Sequence, residues 1–214
     1  QKGISVAIGH DQCNIPASTE LLIYSDAVPE DNRERVRAKE MDILQMSYFE
    51  ALGAISKNAR TIAVAGTHGK TTTTGMLAKI LQRAGREPTA IIGSIVRDFG
   101  SNFLAGNPGL LVVEACEYRD HLLKLSPEIL VITNIEWDHT DYFPDLAALR
   151  ATFRTAAEKV PVHGAIITNP NDPVIAQILE NVSAPIVDYT KGVYETPLLS
   201  LIGEFNRMNA RAAK

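Results

Sequence analysis

The sequence predicts an α/β protein built on a mostly parallel sheet, and three observations carry that reading. Short apolar runs alternate with amphipathic segments along most of the 214 residues, as repeated βα units do. One run passes through a glycine- and hydroxyl-rich turn, "GTHGKT" at 66–71, straight into a helical pattern. Two later runs, "LLVVEACE" and "ILVITNIEWDH", finish in acidic, amide and histidine side chains. Open α/β sheets gather ligands beyond such strand ends.

Each element follows from its pattern. Apolar alternation predicts strands at "ISVAIG" (4–9), "ELLIYS" (20–25) and "DILQM" (42–46), with amphipathic helices over 31–39 and 47–56. The strand "RTIAVAG" (60–66) leads into a helix over 70–84, followed by the strand "TAIIGS" (89–94). "GSNFLAGNPG" (100–109) is rich in glycine and asparagine and reads as irregular. Beyond it come the strand "LLVVEA" (110–115), a helix over 118–124 and the strand "EILVITNI" (128–135). A helix over 146–159, the strand "GAIITN" (164–169), a helix over 172–180, the strand "APIVDY" (184–189) and a helix from 205 complete the order. The polar break in "AISKNARTIAV" (54–64) is the expected seam. It divides residues 1–57, too small for an intact domain, from a main unit over 58–214.

Composition narrows the function classes. A net charge of −4 argues against non-specific binding to nucleic acid or to an anionic membrane. Cys13 and Cys116 stand far apart without CxxC spacing, so neither a disulfide framework nor a zinc site is expected. No run reaches the roughly 18 to 20 apolar residues of a membrane span, and no signal peptide is visible. The expectation is a soluble protein of a reducing, cytoplasmic compartment. The chain opens on Gln1 and stops at Lys214 inside the helical "RMNARAAK", which reads as a piece of a longer protein.

The turn at 66–71 carries the most specific chemistry. The first N–H groups of a helix have no internal partner, so they and the helix dipole favour an anion. Gly66 and Gly69 let the backbone of Thr67 and His68 approach a phosphate, Lys70 adds a mobile positive charge, and Thr71 offers a hydroxyl to Mg²⁺. Val64 stands where a full P-loop pattern has glycine. The run Thr71, Thr72, Thr73, Thr74 is costly in a helix; several hydroxyls near a phosphate would explain it, as would packing of Thr73 and Thr74.

A nucleotide-bound Mg²⁺ needs oxygen ligands. Glu114 at a strand end is the first candidate, with Glu117 the alternative. His139 is an unusual partner for a hard cation, and a lone histidine is more often structural. Cys116 reads as packed, and Trp137 as a core residue rather than a shield over the site.

Together, "GTHGKTTTTGMLAKIL", "VVEACE", "LVITNIEWDHTDYF" and "GEFNRMNARAA" resemble the Mur ligases, ATP-dependent enzymes that form amide bonds in peptidoglycan synthesis. "YSDAVPEDNRERVRAKEMDILQMSYFEAL" is similar to the end of their UDP-binding domain. The resemblance implies a P-loop-type central ATPase domain, incomplete at its C-terminal end, preceded by a partial Rossmann-like α/β domain. His68 resembles the branch that adds L-alanine to UDP-N-acetylmuramate, or its relative that reattaches a recycled tripeptide. The helix after the "DH" pair carries Arg150, Arg154 and Lys159 instead of the lysine that other branches carbamylate, which suits the same branch.

By that resemblance Lys70 and Thr71 serve the β and γ phosphates, and Glu114 and Thr71 hold the first Mg²⁺. His139 assists a second metal, Asn206 and Asn209 meet adenine, and His10, Ser25 and Asn32 meet uridine or diphosphate. The implied reaction phosphorylates a carboxylate with ATP and lets an amine attack the acyl phosphate. Its partners would be UDP-N-acetylmuramate and L-alanine, with no nucleic acid and no membrane insertion. The glycine-rich opening of the UDP-binding domain and the amino-acid-binding C-terminal domain are absent, and the stretch from Asp188 to Gly203 is short. Two other classes fit less of the pattern: a P-loop regulatory ATPase and an inactive nucleotide-binding module.

Overall fold

The computed structural model describes residues 3–191 and 203–214. The chain forms two compact units, Gln1–Gly53 and Ala54–Lys214. Among the described residues no helix is long and apolar enough to cross a membrane, and both cysteines are free.

In the first unit β1 (Leu21–Tyr24) and β2 (Leu44–Ser47) pair in parallel, Leu21 opposite Leu44 and Tyr24 opposite Ser47. The crossover between them is α1 (Arg33–Glu40), capped by Asn32, whose Oδ1 accepts the N–H groups of Glu34 and Arg35. The helix α2 (Tyr48–Lys57) runs across the division. The strand expected over 4–9 does not form. Ile4, Val6 and Ile8 are 78%, 79% and 96% exposed, and without a sheet edge to supply ladder hydrogen bonds their alternation has nothing to pair with.

The second unit holds a seven-stranded sheet in the order β5-β4-β6-β3-β7-β8-β9. Its strands are β3 (Arg60–Ala65), β4 (Pro88–Val96), β5 (Ser101–Leu104), β6 (Asn107–Glu114), β7 (Ile129–Ile132), β8 (Ala165–Thr168) and β9 (Ile186–Asp188). All neighbours are parallel except β5, which runs antiparallel to β4. The stretch over 100–109 is therefore not irregular. Gly100, at φ +61°, turns the chain back so that Phe103 pairs with Ile91, and β6 already begins at Asn107.

Central β3 is buried at every residue after Arg60, as a parallel strand covered on both faces must be. One face packs Ile62, Val64, Ile92, Val112 and Val131 with Leu77 and Ala78 of α3 (Lys70–Arg83) and Ala212 and Ala213 of α6 (Glu204–Ala213). The helix α3 ends where Gly85 turns left-handed at φ +71° and the Arg86 N–H reaches Leu81 O. Two further helices are α4 (Leu146–Glu158), capped by Asp145, and the short α5 (Pro173–Ile178), capped by Asp172 with proline at its start. Phe153 and Leu149 of α4 are fully buried.

The expected helix over 118–124 is instead a 3-10 segment interrupted by Arg119 and Asp120 at φ +52° and +58°. Tertiary hydrogen bonds override its helical pattern: Asp120 accepts hydroxyls from Tyr142 and Thr152. The shortened stretch between Asp188 and Gly203 lies mostly outside the described residues.

Candidate functional site

Strand order creates the site. Since β3 lies between β6 and β7, the turn after β3 faces the carboxyl ends of both neighbours, which is the switch-point geometry that places ligands in open α/β sheets. The turn is clamped to the segment after β7. Thr67 N donates to Asn134 O at 3.0 Å, and His68 N donates to Asn134 Oδ1 at 2.9 Å. Thr133 Oγ1 and Asn134 Nδ2 donate to His68 O. Thr67 Oγ1 both donates to Glu136 O and accepts from Glu136 N.

Two glycines are required by space as well as by backbone. Gly66, at φ +132°, would drive a Cβ into Thr133 Oγ1, and Gly69, at φ +83°, would drive one into the Asn209 amide. The Asn209 and Asn206 side chains are buried on α6, so the turn and the asparagine helix meet at Gly69.

On the β6 side, Thr71 Oγ1 donates to Glu114 Oε1 at 2.9 Å, and the Gly93 N–H donates to Glu114 Oε2 at 2.6 Å. Lys70 Nζ folds back over the turn, donating to Gly66 O at 2.6 Å, Thr67 O at 3.1 Å and Glu117 Oε1 at 2.9 Å. Glu117 is 1% exposed, its Oε1 lies 3.7 Å from His139 Nε2, and its Oε2 is buried without a hydrogen-bond partner.

The loop bearing His139 is held by a reciprocal pair of bonds. Tyr118 Oη donates to Asp141 Oδ2 and Tyr142 Oη donates to Asp120 Oδ2, each at 2.6 Å. The Tyr118 ring lies 4.9 Å from the His139 ring, and His139 itself sits at φ +52°. The Tyr118 hydroxyl is the chief cause of the lowered Asp141 pKa, and the bond to Asp120 is the chief cause of the raised Tyr142 pKa.

Lys70, Thr71, Glu114, His139, Asn206 and Asn209 thus belong to the elements that meet around one turn. The His68 ring points outward, 3.8 Å from Glu136 Oε2. Thr73 and Thr74 are fully buried, with Thr74 Oγ1 bonded to Lys70 O, so packing explains both. Trp137 is 52% exposed and donates its indole N–H to Phe143 O; it is no core residue. Cys116 is partly buried, and burial pushes its thiol pKa up. Arg150 and Arg154 bond to Gln177, and Lys159 to Leu123 O, which occupies that helix face structurally.

In the first unit His10 Nδ1 lies 2.9 Å from Glu34 Oε2, Ser25 Oγ accepts the Ala27 N–H, and Asn32 caps α1. The sequence pattern ranks Glu117 second to Glu114, because nothing in its spacing shows that it reaches Lys70. The Tyr118–Asp141 and Tyr142–Asp120 pairs carry no motif at all.

The oxygen donors fit a hard cation: the Thr71 hydroxyl and the Glu114 carboxylate, 2.9 Å apart. Among the described residues no three His, Cys, Asp or Glu side chains form a complete metal cage.

Known proteins resemble this chain along most of its length. The UDP-N-acetylmuramate--L-alanine ligase of Caldicellulosiruptor bescii is 40% identical over 188 residues, covering 87% of this chain and 41% of that protein. The chain therefore spans about two fifths of the length of such curated relatives. Among solved structures, UDP-N-acetylmuramate:L-alanyl-gamma-D-glutamyl-meso-diaminopimelate ligase from Neisseria meningitides superposes with a TM-score of 0.82 at 24% identity, covering 96% of this chain and 76% of that one. UDP-N-acetylmuramate-alanine ligase from Thermotoga maritima gives 0.75 at 26% identity, over 96% and 52%. Residues 1–60 match the Mur ligase family catalytic domain and residues 64–196 the Mur ligase middle domain. With the motif-bearing turn, its strand-end acids and most of its length matched, this chain belongs to the Mur ligase family.

Proposed function

We propose that this chain supplies the ATP-binding part of a ligase that joins L-alanine to the carboxylate of UDP-N-acetylmuramate in the cytoplasm. The observation that carries the reading is the convergence of Thr71–Glu114 and Lys70–Glu117–His139 on one glycine turn. The name of the 40%-identical relative supports the substrate pair.

In this reading the helix amides from Gly69 to Thr72 and the Lys70 ammonium bind and orient the triphosphate. Thr71 and Glu114 would hold Mg²⁺, which when bound neutralises charge on the transferring phosphoryl group. His139, 3.7 Å from the Glu117 oxygen that also receives Lys70, would assist a second cation near the substrate carboxylate. Asn206 and Asn209 would meet the adenine through amides that both donate and accept. His10, Ser25 and Asn32 are assigned to uridine and diphosphate. Phosphoryl transfer depends mainly on alignment and charge stabilisation, so Lys70, the helix amides and the cations would supply most of the catalysis in the first half-reaction. Attack of the amine on the acyl phosphate would then give amide and inorganic phosphate.

Thermal melting of the chain with ATP and Mg²⁺ tests the site. An upward shift is expected for the parent chain and none for Lys70→Ala; equal shifts in both would overturn the loop assignment. In a protein of the relatives' full length, phosphate release should require UDP-N-acetylmuramate and L-alanine together. Turnover with UDP-N-acetylmuramate and a tripeptide, but not with L-alanine, would make it the recycling ligase.

A further inference from the structure

The proposed reaction leaves Glu117 without a task, although it is the least accessible charged group of the site. Its side chain is 1% exposed, against 16% for Lys70 and 36% for His139. A lysine ammonium has three N–H donors, and in this structure all three are committed, to Gly66 O, Thr67 O and Glu117 Oε1. A phosphate seated in the turn has to take at least one of them.

The two carbonyls belong to the turn and move with it. Glu117 is the partner 47 residues away on another segment, and the one whose negative charge competes directly with phosphate for the ammonium. Giving up Lys70 is costly for Glu117. A buried carboxylate deprived of its cation is strongly unfavourable, and its Oε2 already lacks any partner. Among the described residues its other ion-pair partner is His139, at 3.7 Å.

We propose that Glu117 is a positioning residue that exchanges partners: it holds Lys70 across the turn, then yields it to the nucleotide phosphate while a divalent cation beside His139 takes the lysine's place. The inference rests on the nucleotide site proposed above. Its consequence is a coupling between cation and nucleotide. Without a cation, phosphate must pull Lys70 from a buried carboxylate that keeps only the more distant His139 beside it; with one, the exchange is balanced.

Calorimetric titration of the chain with ATP, in EDTA and in excess Mg²⁺, tests the exchange. Glu117→Gln keeps the shape and hydrogen-bonding capacity but removes the competing charge. Its metal-free affinity is expected to rise about tenfold over the parent, and the gain conferred by Mg²⁺ to shrink by a similar factor, the size of an ordinary coupling free energy. An unchanged or weaker metal-free affinity with an undiminished Mg²⁺ effect would overturn the exchange. Lys70→Ala separates the two ideas: parent-like binding by that variant defeats the nucleotide site itself, whereas its loss alongside an inert Glu117→Gln defeats only the exchange. A crystal structure of the parent chain with Mn²⁺ and a non-hydrolysable ATP analogue decides the point without relying on a variant's folding. Lys70 bonded to phosphate and parted from Glu117 is expected; a retained Lys70–Glu117 bond with the analogue bound would overturn it.

Discussion

At the scale of single residues, the site is a set of short polar contacts whose partners are far apart in sequence. Thr71 meets Glu114 and Lys70 meets Glu117 across intervals of 43 and 47 residues, and Tyr118 meets Asp141 across 23. The last pair offers a pH prediction. The Tyr118 hydroxyl holds the exposed Asp141 carboxyl below its usual pKa. A depressed folded-state pKa gives stability that is present above the unfolded value, about 3.9 for aspartate, and is lost as pH falls through the lower folded value. Tyr118→Phe should therefore raise the Asp141 pKa toward the ordinary range and flatten the acid limb of the stability profile. Carbon-detected NMR titration of the Asp141 carboxyl reads this directly; an unmoved midpoint would mean that the hydrogen bond does not set it.

At the scale of elements, the site depends on how helix starts and loops are pinned. The helix α3 begins at a left-handed Gly69 packed against Asn209 of α6, so one residue serves both a backbone turn and a helix–helix contact. Gly69→Ala should cost about 1–2 kcal/mol from the left-handed backbone alone, plus the displacement of Asn209. Urea unfolding should show a lower midpoint together with a reduced ATP-induced melting shift; parent-like values for both would show that the turn tolerates a Cβ. The segment over 118–124 and the loop over 138–145 are joined by the reciprocal tyrosine–aspartate bonds. These contacts accompany three non-glycine residues at positive φ, Arg119, Asp120 and His139, conformations that persist only where surrounding contacts impose them.

At the scale of the whole chain, the two units differ in what they can sustain alone. The seven-stranded sheet has a core covered by helices, whereas β1 and β2 pair only with each other among the described residues, and two strands are marginal in water. Residues 48–214, which keep α2 intact, should unfold cooperatively and retain the ATP-induced shift of the full chain. Residues 1–53 should show no cooperative transition by circular dichroism, and a sharp one would contradict this assignment of stability. The glycine turn, the acidic end of β6, the "DH" pair and the asparagine spacing on α6 were legible in the sequence because each is a local pattern of residue types on one element. The alternating apolar run over 4–9 misled for the same reason, since alternation states which side chains could share a face but not whether a neighbouring strand exists. The glycines and asparagines over 100–109 likewise hid β5, whose pairing with β4 depends on a turn at Gly100. Only the tertiary structure decided that Glu117 reaches Lys70 and His139 and that two tyrosines lock the loop beside them. Those contacts follow from strand order, with β6 and β7 on either side of β3, and strand order is set by packing the whole sheet rather than by any stretch of chain read alone.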